Sequence, residues 1–286
     1  MDDEINQTLL IDERLDSYKT IFGHQWSRGI LEIAEGTKLD NPLMTLFASW
    51  RAAANTHTMP WLFIHSLHHL WHGAAKHQGL TTRFVGAMSE AIPKRMTGKI
   101  TRTQQQKLTQ AVKDIADDIR RAWENDPDTE MEPDVLWKDY LTMPAGWEFK
   151  MAIWGSQQLI FGSLFFAFEH FVTTVVGIGK GTANYHPRWT KLVADAKALF
   201  DPVDPTLIPY CLEGQFIEIT RLTRNCLAHR GGRISEELAN IAHGLPVLDG
   251  VIQITAPCNE QCIRRLEKRV AKLVEAALNL PGFQRP

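Results

Sequence analysis

Eighteen consecutive residues, Met151 to Phe168, carry no charge. A run like this has to leave water, either into a protein core or into lipid. Its length sits at the lower edge of a membrane-spanning helix. Ser156, Gln157, Gln158 and Ser163 lie inside it, however, and Glu169-His170 follow directly. Polar groups are costly in lipid. The run therefore predicts a helix from about Trp147 to Val176 buried in a protein core, with no membrane partner.

The rest of the chain reads as helical to match. Leu108, Val112, Ile115 and Ile119 recur at helical spacing within Thr101 to Glu124. Further helices are predicted over Glu4–Glu35, Pro42–Asn55, Pro60–His77 and Thr81–Ile92, with Pro93 stopping the last. Downstream, helices follow over about Arg188–Phe200, Pro205–His229 and Asn259–Leu278. Ile263, Leu266, Val270, Leu273 and Ala277 make the core stripe of the last one. Arg264, Arg265, Lys268, Arg269 and Lys272 lie on its other face, a solvated surface by default and a nucleic-acid surface as the minority reading. Pro246 to Thr255 reads as a small hairpin turning at Asp249-Gly250. Residues 124–134, ENDPDTEMEPD, are acidic, hold two prolines and lack an apolar stripe. They read as a loop or linker and the preferred domain boundary, with a solvated loop inside a single domain as the equal alternative. The expected organisation is a helical N-terminal region of unknown role, residues 1–134, and a helical domain over residues 135–286.

Composition narrows the function. Lys plus Arg is 31 and Asp plus Glu is 33, a net charge of −2. Coating nucleic acid through overall positive charge is excluded, and a local basic patch is not. Cys211, Cys226, Cys258 and Cys262 contain no CxxC pair, which argues against a Cys-only zinc site and a disulfide scaffold. The acidic start lacks a basic-then-apolar leader, so a cytoplasmic protein with reduced thiols is expected.

Three constellations invite a chemical reading, and two are set aside. His65/His69 and His68/His72 are one-turn pairs that could chelate a metal. There is no HExxH, and Trp61, Ile64, Leu67, Leu70, Trp71 and Ala74 already give that helix a core face, so hydrogen-bonded histidines are the simpler reading. Gly177-Ile178-Gly179-Lys180-Gly181-Thr182 imitates a phosphate loop. The motif wants glycine where Thr174 stands and Ser or Thr where Gly181 stands. A connection between helices is the better reading.

The third constellation is Arg221 to Arg233, RLTRNCLAHRGGR. Arg224 and His229 are five residues apart, about 140° around a regular helix. They converge only if His229 sits in the last turn, and Gly231-Gly232 supplies the stop. Ile208, Leu212, Phe216, Ile219, Thr223 and Cys226 are expected to face the core. Gly214, Ile217, Arg221, Arg224, Asn225 and Ala228 lie on another side, suited to a second subunit. A histidine, with an ordinary pKa of about 6.5, gives or takes a proton at neutral pH. An arginine beside it holds phosphate and stabilises the charge built in phosphoryl chemistry. Together they suit RNA cleavage by the ribose 2′-hydroxyl, with no metal or other cofactor. The plain alternative is that both residues complement the dipole at a helix end. Glu169-His170 is a candidate acid/base partner to this motif, and a polar pair satisfied within the bundle is its simpler reading.

Arg224-Asn225-Cys226-Leu227-Ala228-His229, followed by Arg230-Gly231-Gly232, resembles the signature of the HEPN superfamily. That signature is an Arg and a His separated by four to six positions, the first of them polar. The order of elements over about residues 147–280 is similar too. The resemblance implies an all-α fold with a C-terminal four- to five-helix bundle and a small β-hairpin insert. It implies a homodimer with a composite site, often a metal-independent endoribonuclease of toxin, abortive-infection or antiviral systems. Arg224, Asn225 and His229 would be catalytic. Arg221, Arg230 and Arg233 would bind RNA, and an antitoxin or other regulatory protein would be a partner. The superfamily also contains members that bind RNA or nucleotides without cutting, and structural members.

Overall fold

A computed structural model describes residues 9–76, 87, 101–125, 132–143 and 146–284. After a 3-10 turn at Leu15–Tyr18 come α1 (His24–Ala34), α2 (Asp40–Lys76), α3 (Arg102–Asn125) and α4 (Pro133–Thr142). Next are α5 (Gly146–Gly179), α6 (Trp189–Phe200), α7 (Gln215–Arg230) and the single turn α8 (Glu236–Ala239). Strands β1 (Val247–Leu248) and β2 (Val251–Ile252) precede α9 (Ala256–Leu278), and a 3-10 turn at Pro281–Phe283 follows it. The fold is all-α apart from this two-stranded antiparallel sheet. The expected helix over Thr81–Ile92 and residues 126–131 of the acidic stretch lie outside the described residues.

Two compact units divide the chain: Met1–Trp61 with Leu141–Pro286, and Leu62–Tyr140. The second unit holds the end of α2, α3 and most of α4. Ile64 and Trp137 are buried there, and the Phe63 and Tyr140 rings meet edge-on at 5.5 Å. A capping box opens α3: the Thr101 N–H donates to Gln104 Oε1 at 2.8 Å, and the Gln104 N–H donates to Thr101 Oγ1 at 3.3 Å. Ile115, one of the four apolar residues at helical spacing there, is 59% exposed.

The first unit is built around α5. Phe161, Leu164, Phe165, Phe168, Phe171 and Val175 are all buried. By length and composition alone Trp147–Gly179 could cross a membrane, but 56% of its most apolar window is buried inside the protein. Helices α6, α7 and α9 pack on it. Trp50 of α2 is fully buried and donates its indole N–H to the Leu164 carbonyl at 3.0 Å. His57 of α2 is buried between Gln157 Oε1, 3.2 Å away, and the Ser17 carbonyl, 3.0 Å away. Asn259 of α9 donates to the same Gln157 oxygen at 2.8 Å.

Helix α2 runs unbroken through Pro60, where the sequence predicts two helices. Proline removes one hydrogen bond from the ladder. Trp50, Ala53, Ala54, His57 and Pro60 nevertheless form one continuous buried stripe, and packing overrides the local cost. The opposite happens before α7. A π turn, Pro209–Glu213, ends at Gly214, and α7 starts afresh at Gln215. On α7 itself Thr223 and Cys226 are buried as expected. Ile217, expected on a free side, is fully buried in the unit's own core, so it is not a subunit contact.

On α9 the predicted stripe, Ile263, Leu266, Val270, Leu273 and Ala277, is buried throughout. Its cationic face is partly consumed internally. Arg269 is 7% exposed and stacks on Tyr210 and Phe216 at 4.7 and 4.6 Å. Arg265 covers Phe216, Lys272 covers Tyr210, and Arg264 pairs with Glu260 at 2.5 Å.

Candidate functional site at the end of α7

Helix α7 ends where its glycines dictate. Gly231 has φ 59° and ψ 33°, the left-handed conformation that costs glycine least. The Gly232 N–H then returns to the Cys226 carbonyl at 3.0 Å, closing the last turn. The hairpin anchors the chain beyond that turn. Asp249 and Gly250 take φ 50° and 75°, as a tight two-residue turn requires. Val247 pairs with Ile252 and Leu248 with Val251. The Ile252 N–H bonds the Gly232 carbonyl at 2.9 Å, and the Ile234 N–H bonds the Gly250 carbonyl at 2.9 Å. The helix end is thereby tied to the sheet.

His229 and Arg230 occupy that last turn and are exposed. Arg224 lies higher on the helix and is partly buried. It donates from Nη2 to Glu169 Oε2 of α5, with side chains 21% and 26% exposed. Its guanidinium lies 5.9 Å from the Phe165 ring centroid, and its Nε is buried without a hydrogen-bond partner. Of the Glu169-His170 pair on α5, Glu169 thus meets the motif directly. His170 is exposed.

An open cavity of about 970 Å³ lies within the first unit, between the first half of α2, α5 and the end of α7. Arg224, His229 and His170 all border it. Among the described residues no acidic side chain lines it, and Glu169 reaches Arg224 from outside the lining. A smaller cavity of about 250 Å³ brings His229 together with Asn225, Arg230, Ser235 and Glu237. His229 therefore borders both, whereas Asn225 borders only the small one. Arg221, half-buried, and Arg233, exposed, border neither.

Neither constellation set aside on sequence supplies a residue to the two cavities that His229 borders. His68 and His69 stand on α2 with ring centroids 5.8 Å apart. Among the described residues no group of three or more His, Cys, Asp or Glu side chains could hold a metal, and the His72 side chain lies outside them. Lys180, after α5, is bound to Asp195 at 2.6 Å and covers the Tyr185 ring. Compared with protein-family models, with curated proteins and with solved structures, the chain matches none.

The sequence does not signal the long wall of the large cavity. Thr45, Ser49 and Ala52 of α2 reach it because α2 packs along α5, a tertiary fact invisible to local pattern.

Proposed function

We propose that this chain is a metal-independent endoribonuclease of HEPN type that acts as a homodimer in a toxin or antiviral system. The observation that carries the reading is that Arg224 and His229, five residues apart, border one open cavity without an acidic lining at a helix end. RNA would enter with its scissile phosphate against Arg224. His229 takes the proton from the ribose 2′-hydroxyl. The 2′-oxygen attacks phosphorus in line, and the phosphorane charge is met by the Arg224 guanidinium. The P–O5′ bond then breaks, and the leaving oxygen accepts a proton, from His229 of a second copy in the dimer. The products are a 2′,3′-cyclic phosphate and a 5′-hydroxyl. Asn225 shares the small cavity with His229 and orients it. Arg221, Arg230 and Arg233 hold the flanking backbone, and a neutralising protein partner restrains the activity.

A second reading, a non-catalytic RNA-binding or protein-interaction module, is favoured by the Arg224–Glu169 ion pair. That pair already satisfies part of the guanidinium and neutralises its charge. RNA cleavage in chelator by wild type and His229→Ala separates the two. The nuclease reading predicts cleavage by wild type alone. Equal activity in both proteins sinks the assignment of catalysis to His229, and no activity in wild type leaves the binding module.

A further inference from the structure

The large cavity offers more than Arg224 and His229 use. Along α5, Gly155, Leu159, Gly162, Phe166 and His170 succeed one another by helical steps, so they share one face, and all border the cavity. Leu159 is 73% exposed and Phe166 is 66% exposed, on a helix whose other side is core. Gly162 stands one turn before Phe166. A Cβ there would meet nothing within 4 Å, so internal packing does not require the glycine. Glycine is nonetheless a poor choice inside a helix. Its effect is an open slot beside the Phe166 ring. Gln158 also borders the cavity, with its Nε2 buried and lacking a partner.

Charge selects the occupant. Among the described residues the lining holds Arg224, His170 and His229 and no carboxylate, and an anion bound there competes with Glu169, which pairs with Arg224 from outside the lining. A flat apolar body joined to an anion complements it. We propose that this face is a base-binding subsite, in which the unpaired base beside the scissile phosphate of single-stranded RNA stacks on Phe166 over Gly162. The inference rests on Arg224 as the phosphate-binding residue of the proposed nuclease. Phe166 follows Phe165, whose ring centroid lies 5.9 Å from the Arg224 guanidinium, and Phe166 and Arg224 border the same cavity, so one nucleotide can span base site and phosphate site. A base in a duplex is already stacked and does not enter, which makes single-stranded RNA the substrate class.

The test is fluorescence anisotropy with a 2′-O-methyl oligoribonucleotide, whose blocked nucleophile prevents cleavage, against an abasic oligomer of equal length. Wild type should prefer the oligomer with bases. Phe166→Ala should weaken that oligomer about 5- to 150-fold, the size of one base–aromatic stack, and leave the abasic one unchanged. Arg224→Ala should weaken both. Gly162→Leu fills the slot from an open position and should reproduce the Phe166→Ala loss while keeping the wild-type unfolding midpoint. The proposal is overturned if Phe166→Ala and Gly162→Leu bind the base-bearing oligomer as wild type does. It is equally overturned if they only convert a dimer to monomer in sedimentation, which would make this face a contact between copies. Phe166-dependent binding without cleavage of natural RNA would keep the subsite and remove the nuclease. Cleavage that requires His229 but ignores Phe166 would do the reverse.

Discussion

Replacing Glu169 with glutamine should move stability and RNA affinity in opposite directions. The Glu169–Arg224 pair is neither solvated nor sealed, with side chains 26% and 21% exposed. Exposed ion pairs contribute about 0.2–1 kcal/mol. Breaking a fully buried pair costs about 3–5 kcal/mol. This pair falls between, and glutamine keeps an acceptor for the Arg224 Nη2 hydrogen bond. The expected loss of stability is about 1–2 kcal/mol, read as the shift in a urea midpoint at constant slope. The same change removes the carboxylate that competes with a phosphate for the guanidinium. Affinity for a 2′-O-methyl oligoribonucleotide should therefore rise about 5- to 10-fold, equivalent to about 1–1.4 kcal/mol. In an Arg224→Ala background, Glu169→Gln should change affinity by less than about twofold, since the coupled partner is gone. Weaker RNA binding by Glu169→Gln in the wild-type background would refute the reasoning. It would mean that the carboxylate helps the ligand rather than competing with it.

Arg224→Lys keeps the charge but loses the planar fork, so single-turnover cleavage should fall at least about tenfold; a rate equal to wild type would reduce Arg224 to a generic cation. His57 is held below its ordinary pKa by burial, against opposing hydrogen bonds with the Ser17 carbonyl and Gln157. The unfolded chain then binds the extra proton, so the stability His57 contributes is full above pH about 6.5 and is lost as pH falls below that. Glu267, pushed up to about 7 by burial, acts in the other sense, favouring the folded state as pH falls from about 7 to 4.5. The His57 effect is therefore read as the difference between wild type and His57→Gln in urea melts at pH 7.5, 6.5 and 5.5, with the variant losing less on acidification. Gly231→Ala meets no atom within 4 Å, so its cost is the left-handed φ alone, about 1 kcal/mol by thermal melt.

Elements with a strong period or a local turn code were legible in the sequence. Helices α6 and α9 lie where their apolar spacing put them, and the Asp249-Gly250 turn sits at the tip of the hairpin. The position of His229 in the last turn came from the glycine pair beyond it. What failed was the width of one buried face and long-range contact. Ile208, Leu212, Thr223 and Cys226 are buried as their spacing predicts, but Ile217, placed on the other side, is buried as well, so the core covers a wider sector of α7 than one stripe. Pro60 read as a boundary because its cost is local, whereas the stripe that carries α2 through it is tertiary. Glu169 lies 55 positions before Arg224 with no periodicity to join them, yet its place inside the long apolar helix already marked it as a candidate partner of the motif. On the basic face of α9, Arg264, Arg265, Lys268 and Lys272 are exposed as read; Arg269 alone is buried, because Tyr210 and Phe216, on which it stacks, belong to other elements.

The central claim is that the end of α7 cleaves RNA through the ribose 2′-hydroxyl without metal. Mass spectrometry of the new ends, after digestion of a defined single-stranded RNA in chelator, tests it most directly. The account predicts 2′,3′-cyclic phosphate and 5′-hydroxyl ends from wild type, and neither from His229→Ala or from RNA carrying a 2′-deoxyribose at the scissile position. Ends bearing 3′-hydroxyl and 5′-phosphate, or uncut RNA from folded wild-type protein, would contradict it.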